Sequence, residues 1–275
     1  MEHKKQAQSI VDTTEHLPTL PDIIIKINAL IDDPYSTADD LNKVISSDIS
    51  LTSKMLKIVN SSFYGFSRNI SSVTHAVVIL GFNTVRNIAL SAFLFDNLTS
   101  KALKPLWEHS ITTGALSKAI GVKVCPSQAE EAFISGLLHD IGRVVFFLHD
   151  AETMIKLMKK SDSSFVESET ANFGITQQEV GACLLDKWQL PESLIEAALY
   201  CNNPLQAHTD IPYIVNVANS LSKEMDGLSA GLNPDAKPIE SDVLKKLGLT
   251  STKLDDIKPV LIDAVKNSNV FSDML

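Results

Sequence analysis

A histidine and an aspartate stand side by side, His139-Asp140, inside the apolar run EEAFISGLLHDIGRVVFF at residues 130–147. Charged groups in such a run are costly to bury unless they are paired or bound to a metal. One helical turn to either side lie Ser135, Gly136, Gly142 and Arg143. Most of these are small, which leaves space around the imidazole for a ligand, an ion or a closely packed helix. A second histidine, His109, precedes them in LWEHSITTGALSKAIG. Two imidazoles and one carboxylate suffice to hold a divalent ion with open positions, a catalytic rather than a structural arrangement. Neighbouring residues on a helix diverge by about 100°, so His139 and Asp140 share an ion only if it lies between their directions. Simpler readings stand beside this one. His139 could be a core histidine bonded to a backbone carbonyl, Asp140 could pair with Arg143 at i+3, and His109 could be a half-exposed helix residue.

The elements that must position these groups read as helices. Val73, Ala76, Val77 and Leu80 recur at i, i+3, i+4 and i+7. Ser71 and Ser72 can cap that segment and Gly81 can end it. Leu254, Ile257, Leu261 and Val265 repeat the pattern, with Pro259 expected to bend or restart the helix. The spacing predicts helices near 21–32, 37–46, 50–60, 72–80, 82–97, 102–121, 128–148, 152–160, 176–188, 191–201, 211–226, 240–247 and 252–268. No strict apolar–polar alternation argues for a strand. The expected fold is all-α, with two packed helical halves and a small helical C-terminal extension. Its segments are an N-terminal helical arm at 1–16, halves at 17–100 and 101–226, and a linker with the extension at 227–275. The aromatic loop Phe63-Tyr64-Gly65-Phe66 either contacts a partner or plugs the core, and loop aromatics more often pack.

With 24 Lys and Arg against 33 Asp and Glu, the formal net charge is −9. Such a field repels phosphate backbones and argues against nucleic-acid binding. The cysteines, Cys125, Cys183 and Cys201, are scattered and read as reduced thiols. The N-terminal MEHKKQAQSIVDTTEHLP has no apolar core of signal-peptide length, and no apolar run reads as a membrane span. A cytoplasmic protein without a membrane partner is expected. Gly-rich phosphate loops, G-x-S-x-G and H-E-x-x-H are all absent from the sequence.

His109 followed by His139-Asp140 in GLLHDIG resembles the HD superfamily of metal-dependent phosphohydrolases. The chain as a whole is similar to one branch of it, the HDOD (HD-related output domain) family. The likeness runs from about Leu17 to Leu221 through LPTLPDIIIKINALIDDP (17–34), DISLTSKMLKIVNSSFYG (48–65), ISSVTHAVVILG (70–81), LWEHS (106–110), AFISGLLHDIG (132–142) and EVGACLLDKWQLP (179–191). The resemblance implies an all-α module of bacterial signalling proteins, whose members generally look like hydrolases without showing hydrolase activity. It also implies that the second half is the HD-like core.

Departures from the pattern bear on chemistry. The final Asp of the first metal site is replaced by Asn219 in IVNVANSLS, a neutral and weaker ligand. Where relatives carry second-site histidines, this chain has Gln177, Cys201 and Asn202. A two-metal phosphodiester mechanism needs both ions. The favoured expectation is therefore a non-catalytic signalling adaptor with no cofactor and unidentified protein partners. A single divalent ion on His109, His139 and Asp140, serving a phosphohydrolase acting on a nucleotide or cyclic dinucleotide, is the alternative. In a third reading Gln177, Cys201, Asn202 and Asn219 line a polar cleft for a nucleotide ligand.

Overall fold

The structure is a computed structural model that describes residues 2–158, 165–224 and 238–275. The described residues contain helices and no strand. In chain order these are α1 (Glu2–Thr13), α2 (Asp22–Asp32), α3 (Ala38–Ser46), α4 (Ile49–Val59), α5 (Val73–Leu80), α6 (Phe82–Asn97), α7 (Lys104–Val124), α8 (Ala129–Leu138) and α9 (Ile141–His149). There follow α10 (Ala151–Met158), α11 (Phe165–Phe173), α12 (Gln177–Lys187), α13 (Glu192–Tyr200), α14 (Ile211–Glu224), α15 (Ser241–Lys246), α16 (Ser251–Asn267) and α17 (Asn269–Ser272). Single 3₁₀ turns sit at Pro126–Gln128 and Pro204–Gln206.

The chain folds as two compact units that are not consecutive in sequence. The larger is Met1–Leu17 with Ser100–Val265, and the smaller is Pro18–Thr99 with Lys266–Leu275. The expected four consecutive segments are thus regrouped: the N-terminal arm joins the second half, and the last residues join the first.

In the smaller unit the helix starts follow local side-chain chemistry. Thr37 and Asp40 form a reciprocal capping box on α3, Asp48 accepts from the Leu51 amide at the head of α4, and Ser72 accepts from the His75 amide on α5. Gly81, at φ 81°, makes the sharp corner between α5 and α6, a conformation glycine adopts at no steric cost. Phe63 packs edge-on against Phe271 of α17, with ring centroids 5.0 Å apart, whereas Phe66 stays exposed. The aromatic loop therefore does plug this core with its first ring.

The larger unit is a bundle in which α7 lies along α8, α14 packs on α7, α12 on α9 and α13, and α1 on α12. Leu116 and Ile120 of α7, Ile214, Val217 and Leu221 of α14, and Val243, Leu244, Leu254 and Leu261 from the C-terminal helices share one core cluster. Residues 243–261 of the C-terminal extension therefore belong to this core. Most of the expected linker, residues 227–237, lies outside the described residues. Helix α16 runs through Pro259 without interruption.

One sequence expectation is corrected here. The helix expected over 128–148 is two helices, with the break at His139-Asp140. Taken across that break, Pro126–His149 is, among the described residues, the one stretch long and apolar enough to cross a membrane by length and composition. Of its most apolar window, 83 % is buried inside the protein. Its hydropathy is explained by its place at the centre of the bundle.

Candidate functional site

The break between α8 and α9 creates the site. In an unbroken helix the Gly136 carbonyl would accept from the amide of residue 140. Here His139 Nδ1 lies 2.7 Å from that carbonyl and, facing an acceptor, must be the protonated nitrogen. Asp140 leaves helical geometry at φ −107°, ψ 16°. The side chains that would diverge on a continuous helix now converge: His139 Nε2 is 3.5 Å from Asp140 Oδ2.

Helix α7 delivers the second imidazole. It crosses α8 at very short range, because a Cβ on Gly136 would stand 2.8 Å from the Gly114 Cα and 2.7 Å from Ser117 Oγ. Of the uses open to the space beside His139, the protein takes close helix packing. The rings of His109 and His139 lie 5.2 Å apart, and His109 Nε2 is 3.8 Å from Asp140 Oδ2. Donor atoms of His109, His139 and Asp140 all fall within 4.8 Å of one another. Ligands about 2.1 Å from one ion lie at most about 4.2 Å apart, so small side-chain shifts would bring these three donors onto a single divalent ion.

The same crossing principle seats α12. A Cβ on Gly142 would fall 1.9 Å from the Gln177 carbonyl oxygen, so α9 and the start of α12 touch backbone to backbone. A Thr176–Glu179 capping box sets where α12 begins. Gln177 then donates from Nε2 to Asp140 Oδ1 at 3.0 Å and to the His139 carbonyl at 3.3 Å. Arg143 closes the other side, its Nη1 donating to Asp140 Oδ2 at 2.6 Å. The remaining guanidinium donors reach Glu169 of α11, at 2.9 and 3.3 Å.

Helix α14 completes the surround. Ser222 Oγ is 3.5 Å from His109 Nδ1 and donates to the Asn219 carbonyl. Asn219 is buried one turn earlier, and its side-chain oxygen has no hydrogen-bond partner among the described residues. The same is true of His139 Nε2 and Gln177 Oε1. Three buried acceptor atoms without donors thus belong to side chains in or beside the cluster.

Burial pulls the His109 pKa down to about 3, helped by His139 and opposed by Asp140. Burial lowers His139 as well, against the pull of Asp140. Both rings are therefore neutral near pH 7, the protonation state a metal ligand requires. For Asp140, burial would raise the pKa, but Arg143, then His139 and His109, outweigh it and hold the carboxyl below its ordinary range.

The second-site positions do not assemble. Gln177 joins the cluster through Asp140, Cys201 is fully buried in the apolar core, and Asn202 is exposed. Burial drives the Cys201 thiol up to about 12, so it is neither a thiolate ligand nor a nucleophile at neutral pH. The expected cleft lined by Gln177, Cys201, Asn202 and Asn219 is contradicted, because two of its walls point to different environments. Both simple readings of His139 and Asp140 hold together with the clustered one, while His109 is buried rather than half-exposed. The residue sequence reasoning missed is Glu169. A signal existed: Arg143 in an apolar helix needs carboxylate compensation, and Glu169 sits in the acidic stretch just ahead of GITQQEVGA.

Comparison with known proteins bears on the fold. The family model described as the HDOD domain matches residues 17–204. A curated, uncharacterised protein of Treponema pallidum (strain Nichols) is 28 % identical over 235 residues, covering 81 % of this chain and 45 % of that one. The chain thus spans less than half the length of that relative. Among solved structures, an HDOD domain protein of unknown function from Geobacter sulfurreducens aligns with TM-score 0.72 and 22 % identity, over 97 % of this chain and 98 % of that one. A candidate phosphohydrolase from Shewanella amazonensis SB2B aligns with TM-score 0.76 and 19 % identity over the full length of both. A candidate signal transduction protein from Marinobacter aquaeolei VT8 gives TM-score 0.76 and 22 % identity, over 99 % of this chain and 65 % of that one. At these identities the likenesses establish the fold.

Proposed function

Since the chain belongs to the HDOD family, we propose that it is a non-catalytic signal-transduction module acting through protein contacts, with the HD-type cluster retained as a structural centre. One observation carries this reading. The carboxylate of the donor set is already engaged on both oxygens, by Arg143 at 2.6 Å and Gln177 at 3.0 Å. The surrounding positions offer too little to build a second ion site. Asn219 and Gln177 are neutral amides, Cys201 is a protonated core thiol and Asn202 is exposed. In-line phosphodiester displacement by a pair of ions needs carboxylates or imidazoles at such places.

A second reading has its own observation. The three donors of His109, His139 and Asp140 are spaced for one ion, and a bound divalent ion supplies a water of lowered pKa. In that reading the two neutral imidazoles and Asp140 hold the ion, and Gln177 orients Asp140.

Elemental analysis of purified protein, then phosphodiesterase assays on cyclic dinucleotides and bis-p-nitrophenyl phosphate with added manganese, separates the two. The adaptor reading expects no turnover above buffer and no change on chelation. Stoichiometric metal with chelator-sensitive turnover would overturn it.

A further inference from the structure

Arg143 sits where a cation would be wanted. Asp140 Oδ2, the carboxylate oxygen that stands 3.5 and 3.8 Å from the two imidazole nitrogens, is the one its guanidinium grips. Arg143, Asp140 and Glu169 are all buried, at 3 %, 4 % and 1 % exposure. Glu169 takes the other edge of the guanidinium in a two-pronged contact, the geometry that fixes an arginine most firmly. A fixed guanidinium cannot shed its charge by losing a proton. It therefore competes with an incoming ion in two ways: it uses a lone pair of the shared oxygen, and it repels a second positive charge at short range. The unpartnered acceptor His139 Nε2 remains in the cluster, so the ion-binding capacity of the donor set persists beneath this competition.

We propose that Arg143 is the resident cation of the cluster and Glu169 its holder, so that the site takes a divalent ion only in exchange for the guanidinium. The proposal rests on the reading of the cluster as a structural centre and gives the reason for it. Neither Arg143 nor Glu169 is a ligand or a catalytic residue here; both act through Asp140.

Cobalt(II) is the probe, because its visible spectrum reports coordination by nitrogen and oxygen without reference to turnover. In the double variant Arg143→Met/Glu169→Gln, Asp140 is released while the charges facing each other are removed together. Its affinity for Co²⁺ is expected to rise about 10- to 100-fold over the unmodified chain, the scale on which outer partners tune metal sites, at one ion per chain. Adding His109→Ala should abolish the gain. Should the double variant not fold, Arg143→Lys keeps the charge on a single donor that cannot span both carboxylates, and a smaller gain in Co²⁺ affinity is expected. Equal affinity in the unmodified chain and in whichever folded variant is tested overturns the proposal, as does a gain that survives His109→Ala. These outcomes are read from binding alone, so they stay distinct from the turnover result that would overturn the adaptor reading.

Discussion

Two ways of placing polar side chains can be compared between the units of this chain. In the smaller unit Thr37, Asp48 and Ser72 work at helix ends, each satisfying amides that water could also reach. In the larger unit Asp140, Arg143, Glu169, His109, His139 and Gln177 are gathered in the interior, where each depends on the others. A cap contributes by itself and is replaceable by solvent. A buried charge cluster contributes only when complete, because each member removed leaves another without compensation. The difference lies in whether a polar group has an alternative partner.

That contrast can be broken by mutation. Arg143→Met strands Asp140 and Glu169 in a dry interior and should cost about 3–5 kcal/mol in urea unfolding. If it costs no more than a cap, the cluster is not interdependent. Next comes acidity. His109 titrates at about 3 in the folded chain against an ordinary 6.5, and His139 is shifted the same way. The unfolded chain then takes up protons first, so stability is full above pH 6.5 and falls as pH descends. Between pH 6.5 and 5 the loss from His109 is about 2 kcal/mol, and His139 adds to it in the same direction. Asp140, held low, adds to the loss only below its ordinary value of 3.8. Urea midpoints at pH 7 and pH 5 test this, and a His109→Gln variant should show the shallower dependence. Gly142→Ala drives a methyl into the Gln177 carbonyl and should cost about 1–3 kcal/mol as overpacking. Unchanged stability there would mean that α9 and α12 part easily. Smallest is Asp48→Ala, about 1 kcal/mol for a lost cap, with no pH dependence between 5 and 7.

The smaller unit was the more legible in sequence for the same reason. Ser72, Asp48 and Gly81 act on residues within four positions of themselves, so spacing alone places them. The i+3 relation likewise foretold the Asp140–Arg143 pair. By contrast, the break at His139-Asp140 depends on a side-chain nitrogen lying against the carbonyl of Gly136, which no periodicity records. Helix α11 escaped notice because VESETANF has no apolar repeat, and with it went Glu169. Cys201 and Asn202 are adjacent in sequence yet divided between core and solvent, a distinction set by the end of α13. The convergence of His109 with His139-Asp140 was suggested by residue type and resemblance. Its tightness comes from glycine contacts that only the fold displays.

The final helix has an implication for how the protein is made. Phe271 is wholly buried against Phe63 and Phe95, yet it leaves the ribosome after every residue of the Ser100–Val265 stretch. Residues 18–99 are made before Lys266–Leu275 and keep part of their interior unsealed until that segment has been made.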